Sequence, residues 1–137
     1  EKILVGYIVP ENTYCKDIEG FMFSVGRVFA IKSLNSNHID SILAVLNSSI
    51  SKFWMKSFCP IKQGGYYKIS SSYLNKFPIP LFDSNFTFSV SNKVTQILTL
   101  KKQNSEADTI KLESEIDQMV YKLYDLTEEE IAIVENS

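Results

Sequence analysis

The sequence predicts an α+β domain, a small mixed β-sheet flanked by helices and closed by a carboxyl-terminal helical hairpin. Three observations predict it. Lys2 to Val9 and Phe21 to Ile31 are β-branched and aromatic runs of strand character. From Ile39 onward apolar residues recur at helical spacing. Near the end, two such helical stretches are separated only by Asn104-Ser105, a break short enough to fold them antiparallel. At 137 residues the chain is one ordinary domain.

The elements follow in order. Lys2 to Val9 is a strand ended by Pro10, and Glu11 to Gly20 is a polar loop with Asn12, Asp17 and Gly20 as turn formers. Phe21 to Ile31 is a second strand, with Gly26 marking a bulge or bend. Asn35-Ser36-Asn37 is a turn, and Asn37 is the expected N-cap of a helix carrying Ile39, Ile42, Leu43 and Leu46. Asn47-Ser48-Ser49 interrupts that helix. A second one carries Ile50, Phe53, Trp54 and Phe58 and stops before Pro60. Tyr66 to Ile69 is a short extended segment, followed by a Ser-started helical turn and by Phe77-Pro78-Ile79-Pro80, which the two prolines hold extended. A helix from about Phe88 to Lys102 then presents Val90, Val94, Ile97 and Leu98 on one face. The next runs to about Tyr124, and Thr127-Glu128-Glu129-Glu130 is a capping box opening a last short helix.

Composition excludes several classes. Hydrophobic residues at 45% and charged residues at 22% exclude wholesale disorder. Cys15 and Cys59 are too few for a disulfide scaffold and, with His38 alone, give no zinc spacing. No apolar run approaches the roughly 18 residues of a membrane span, so no membrane partner is expected. Without an initiator Met or a basic-then-apolar leader, Glu1 reads as a cut inside a longer polypeptide of which this is the carboxyl-terminal piece. The acids Glu113, Glu115, Asp117 and Glu128 to Glu130 read as solvated helix faces rather than as catalysts. Phosphate-loop and dinucleotide fingerprints are absent.

Charge is unevenly placed. Residues 1–104 carry twelve basic side chains against six acidic ones, whereas residues 105–137 carry two against ten. Between residues 50 and 104, Lys52, Lys56, Lys62, Lys68, Lys76, Lys93, Lys101 and Lys102 face only Asp83. Such asymmetry suits a polyanion-binding surface backed by an acidic element, and equally a chain that scatters lysines for solubility. Within the basic stretch lies Lys62-Gln63-Gly64-Gly65-Tyr66-Tyr67-Lys68. Paired glycines permit φ > 0 and close approach to another molecule. With the strand extended, Tyr67 and Ile69 would face inward while Tyr66 and Lys68 project outward with Lys62 and Gln63. Lys suits phosphate or guanine, Gln suits adenine, and Tyr can stack or donate to phosphate. A glycine turn in an ordinary hairpin would use the same residues.

Three segments in fixed order resemble one family. They are Ile42-Leu43-Ala44-Val45-Leu46-Asn47-Ser48, then Gly64-Gly65-Tyr66-Tyr67-Lys68-Ile69-Ser70 leading through Tyr73-Leu74 to Phe77-Pro78-Ile79-Pro80, and then Ile116 to Tyr124 followed by Leu126-Thr127-Glu128-Glu129-Glu130-Ile131. Together they resemble the carboxyl-terminal target-recognition (specificity) domain of TaqI-like adenine-specific DNA methyltransferases and their fused type II restriction–modification relatives. The first forty residues are consistent with it without being diagnostic.

The resemblance implies sequence-specific binding of double-stranded DNA, in the cytoplasm, by residues 1–85, with the helical hairpin and last helix occupying residues 86–137. It implies an upstream methyltransferase domain of the same polypeptide that binds S-adenosylmethionine and methylates a flipped adenine. No cofactor, metal or catalytic residue is expected in this chain, which lacks the Asn/Asp-Pro-Pro-aromatic tetrapeptide and the Gly-rich cofactor loop. The residues expected at DNA are Lys62, Gln63, Gly64, Gly65, Tyr66, Lys68, Lys56 and Lys76. The rival reading is a protein–protein module docking through the helical hairpin. A nuclease fragment would need clustered acids with a Lys on a strand, and the strands read above offer none.

Overall fold

The computed structural model describes residues 1–11, 13–20 and 27–137. Asn12, and the stretch 21–26 that holds most of the expected second strand with Gly26, lie outside the described residues. The chain forms β1 (Lys2–Gly6), β2 (Ile8–Val9), β3 (Tyr14–Asp17) and β4 (Val28–Ile31). A 3₁₀ turn (Ser36–His38) leads into α1 (Ile39–Asn47) and α2 (Ser49–Phe58). After β5 (Tyr67–Lys68) come α3 (Ser71–Leu74), α4 (Ser84–Gln103), α5 (Ile110–Leu123) and α6 (Glu128–Glu135). The fold is α+β, as expected.

The sheet differs from expectation in two ways. Among the described residues every pairing is antiparallel rather than mixed, and the strands divide into a three-stranded sheet ordered β3-β1-β4 and a two-stranded ribbon of β2 and β5. The run Lys2 to Val9 is therefore not one strand. Tyr7 hands the chain from one sheet to the other: its N–H donates to the Arg27 carbonyl (2.8 Å), and its carbonyl accepts from Ile69 N–H (2.8 Å). Gly6 suits the bend, because a Cβ there would meet Val9 Cγ1 at 3.0 Å.

The expected loop Glu11 to Gly20 contains β3. Asn47 at the end of α1 holds this edge strand: its side chain accepts from Tyr14 N–H (2.9 Å) and donates to the Tyr14 carbonyl (3.0 Å), as a strand neighbour would. Asp17, read as a turn former, ends the strand by accepting from the N–H groups of Glu19 and Gly20 and pairs with Lys2.

Helix ends shifted for capping reasons. Asn35, not Asn37, supplies the cap, and it caps the 3₁₀ turn by accepting from Asn37 N–H. Asp83 caps α4, accepting from Phe86 N–H (2.7 Å), so that helix starts at Ser84 rather than near Phe88. Ser70 caps α3, and the Thr127–Glu130 capping box of α6 is complete. Besides Glu130 of that box, three acids read as solvated are engaged instead. Asp117 accepts from both the N–H and the hydroxyl of Ser49 at the start of α2, Glu115 pairs with Lys93, and Glu113 accepts from the Thr109 hydroxyl.

One core joins these parts. Ile3 and Val5 of β1, Val45 of α1, Met55 of α2, Ile69, Val90 of α4 and Val120 of α5 are all essentially inaccessible and belong to one apolar cluster. Each such side chain contributes about 1.5–3 kcal/mol by burial. The cluster reaches Ile69, the residue after β5, and so anchors the inner face of the ribbon.

Candidate nucleic-acid interface

β5 pairs with β2 along one edge, and along its other edge it is joined to Pro60 and Ile61 by a hairpin turn, residues 61–67. Ile61 bridges Tyr67, Lys62 N–H donates to the Tyr66 carbonyl (2.7 Å), and Gly65 N–H donates to the Lys62 carbonyl (3.1 Å). The last bond closes a four-residue turn, Lys62 to Gly65. Gly64, its third residue, has φ 85° while Gln63 is not left-handed, which defines a type II turn and requires Gly at that place. Gly65 follows with φ 79°. The tight tip thus has a local cause in the glycine pair.

Lys62, Gln63, Gly64, Gly65 and Tyr66 are all exposed on this tip, and the Tyr66 ring lies against Gly64. Strand alternation places Ile69 fully inside and Tyr67 half inside, with Tyr66 outside. Lys68 is half-buried. Its ammonium sits 5.3 Å from the centroid of the Tyr7 ring, a cation–π contact, and Tyr7 in turn packs on Phe29 at 6.0 Å. Six of the eight expected residues are therefore brought together by one hairpin. The other two come from elsewhere: Lys56 projects from α2 and donates to the Ser137 carbonyl (2.7 Å), and Lys76 is exposed just after α3. Among the described residues no hydrogen bond or ion pair ties either to the hairpin.

The remaining lysines do not extend this surface as one belt. Lys93 is paired with Glu115, while Lys52 and Lys101 line a groove of 620 Å³ between β3, α1, α4 and α5. Sequence reasoning missed Tyr7 and Ile8. Ile8 stands directly across from Lys68 in the ribbon, so the two side chains share its outer face. The signal that could have found them is Gly6, a glycine within a β-run, which marks a bend.

Behind the ribbon, Tyr14, Tyr73 and Ser51 bring their hydroxyls together beside the Cys59 thiol. Burial there pushes the Tyr14 hydroxyl up to about 12 and the Cys59 thiol up to about 11, and raises Tyr73 as well. These groups stay protonated at neutral pH and act as packing. β3, unforeseen in the sequence, does put Lys16 and Asp17 on a strand. Lys16 is engaged by Asp40 (2.8 Å) and Glu1 (3.3 Å), and Asp17 by Lys2. Among the described residues no three His, Cys, Asp or Glu side chains come together as a metal site, and no helix is long and apolar enough to cross a membrane.

A family model for the TaqI-like C-terminal specificity domain matches residues 1–79. That is more than half of the chain, which belongs to this family. Such a domain is a specificity element rather than a catalytic one, with a role in DNA recognition in restriction–modification enzymes. The match includes the first forty residues and the segments around 42–48 and 64–79, whereas the third resembling segment, 116–131, lies beyond it. A comparison with curated proteins finds no match.

Proposed function

We propose that this chain reads the target sequence in double-stranded DNA for an adenine-specific DNA methyltransferase, or for a type II restriction–modification enzyme in which such a methyltransferase is fused to an endonuclease. The methyltransferase domain would lie upstream in the same cytoplasmic polypeptide and would hold S-adenosylmethionine. The observation that carries the reading is the β2–β5 ribbon, whose inner face is anchored in the core while its outer face and tip carry Lys62, Gln63, Tyr66 and Lys68. The major groove of B-DNA, about 12 Å wide, admits a two-stranded ribbon.

In this reading Gly64 and Gly65 let the tip approach closely, Gln63 meets a base edge, and Tyr66 stacks or donates to phosphate. Lys62 and Lys68, with Lys56 and Lys76 from the flanking elements, contact phosphates. Neutralising about four phosphates makes affinity fall roughly a hundredfold between about 50 and 200 mM salt.

The test is a duplex titration at those two salt concentrations, using the chain and two variants. Lys68→Ala should weaken all duplexes alike and flatten the salt slope by about one unit. Gln63→Ala should cost about 1–3 kcal/mol on the preferred duplex and little on scrambled DNA. Absent or salt-insensitive binding would defeat the proposal in favour of docking through the α4–α5 pair. Equal weakening of both duplexes by Gln63→Ala would show that the tip positions the backbone and reads nothing.

A further inference from the structure

Ile8 belongs to β2, a strand of two residues whose alternation is sharp: Val9 is buried in the core, whereas Ile8 is 52% exposed. Among the described residues, Ile8 belongs neither to the buried core nor to the partly buried side chains packed against it. Its cross-strand partner is Lys68, and Tyr66, two residues before Lys68, lies on the same face and is 44% exposed. The outer face of the ribbon therefore presents an apolar group, a cation and an aromatic ring in one row, with neighbouring strands about 4.8 Å apart. The ammonium rests over the Tyr7 ring, a contact that favours its placement on this face.

We infer that Ile8 is a specificity-determining residue, one that packs on the C5-methyl group of a thymine in the major groove. The inference rests on the reading of the ribbon as a DNA-binding element and adds to it a base and a chemical group. The argument is one of complementarity. Along the major-groove edges of the four base pairs, hydrogen-bond donors and acceptors alternate, and the thymine methyl is the apolar feature among them. An exposed β-branched side chain has no hydrogen bond to offer a base, so on this face it discriminates only through that methyl. Lys68 beside it holds charge for the adjoining phosphate, which places the thymine next to the phosphate that Lys68 meets. Ile8 and Lys68 thus act as one cross-strand pair, the first reading a methyl and the second fixing register.

The experiment compares two arrays of duplexes containing all eight-base sequences, one made with thymine and the other with uracil, which lacks only the methyl group. The 137-residue chain, Ile8→Ala and Ile8→Val are applied to both. The chain should prefer thymine at one position by about fourfold, the effect of burying one methyl-sized group. Ile8→Ala should bind thymine and uracil duplexes equally while keeping its salt dependence, and Ile8→Val should retain part of the preference. The thymine–uracil comparison on the unmodified chain needs no variant to fold. Sequence-selective binding indifferent to the methyl, or a methyl preference that persists in Ile8→Ala, overturns the inference while leaving the DNA-binding reading intact. Failure to bind either array removes both.

Discussion

Gly64 shows how much one backbone angle decides at the tip. Its φ of 85° is open to glycine at no steric cost, and a Cβ there would meet the Tyr66 ring at 3.4 Å, an ordinary contact. The penalty of Gly64→Ala is therefore conformational, about 1–2 kcal/mol. The turn lies outside the core, so the strain is expected to open the hairpin locally rather than unfold the domain. Hydrogen exchange should speed up at the Lys62 and Gly65 amides while the urea midpoint moves little, and DNA affinity should drop. A large fall in the midpoint with unchanged exchange at those amides would contradict this. Lys68 is a different kind of residue. Its placement over Tyr7 draws part of its charge into the ribbon, which the sequence pattern, with Tyr7 sixty-one positions away, could not express.

At the scale of elements, helix starts are held by side chains from far away as well as by local caps. The first amide of α2 is satisfied by Asp117 of α5, since Ser48, the preceding residue, turns its own hydroxyl back to the Val45 carbonyl. A carboxylate at that end also meets the positive pole of the helix dipole. Asp117→Ala should destabilise the fold by about 0.5–2 kcal/mol, as should Thr127→Ala in the capping box. Glu129→Ala, at an exposed position without such a bond, should stay within about 0.5 kcal/mol. Urea unfolding of the three variants checks the ranking, and an Asp117→Ala effect no larger than that of Glu129→Ala would mean that Asp117 is a solvated acid after all. The sequence shows Asp117 on a polar helix face, and its partner is 68 residues away; local spacing carries no trace of that contact. The same limit explains the strands. Residues 14–17 are too short to display alternation and sit among Asn12, Asp17 and Gly20, while Lys2 to Val9 reads as uninterrupted because hydrophobicity does not mark a change of sheet. By contrast, the two helices on either side of Ser48, the extended segment before Ile69 and the glycine tip were legible, since their causes lie within a few residues. Of the candidate site, the hairpin was visible in the sequence, and Ile8 and Val9 were read as strand, but their pairing with β5 was not visible.

Over the whole molecule, titrating groups that brace different layers set limits on stability at both ends of the pH scale. The hydrogen bond from Lys2 holds Asp17 below its ordinary value, and that from Lys93 does the same for Glu115. A depressed carboxylate stabilises the fold above its unfolded pKa, about 4, and this contribution is lost as pH falls through the lower folded value. The alkaline side runs the other way. Tyr14, raised by burial from 10.0 to about 12, and Cys59, raised by burial from 9.0 to about 11, keep their protons in the fold after the unfolded chain has lost them. The unfolded state then binds fewer protons, so stability falls as pH rises from about 9 towards 12. Burial opposes the charge on Lys16, but its hydrogen bonds to Asp40 and Glu1 outweigh that and raise it, so its contribution is also lost at high pH. Urea midpoints should therefore be flat from about pH 5 to 8 and decline on both sides. Asp17→Asn should flatten the acid limb and leave the alkaline limb unchanged, whereas Tyr14→Phe should flatten only the alkaline one. If Asp17→Asn lowered the midpoint equally at every pH, the Lys2–Asp17 pair would be acting through shape rather than charge, and the acid limb would have to come from other carboxylates.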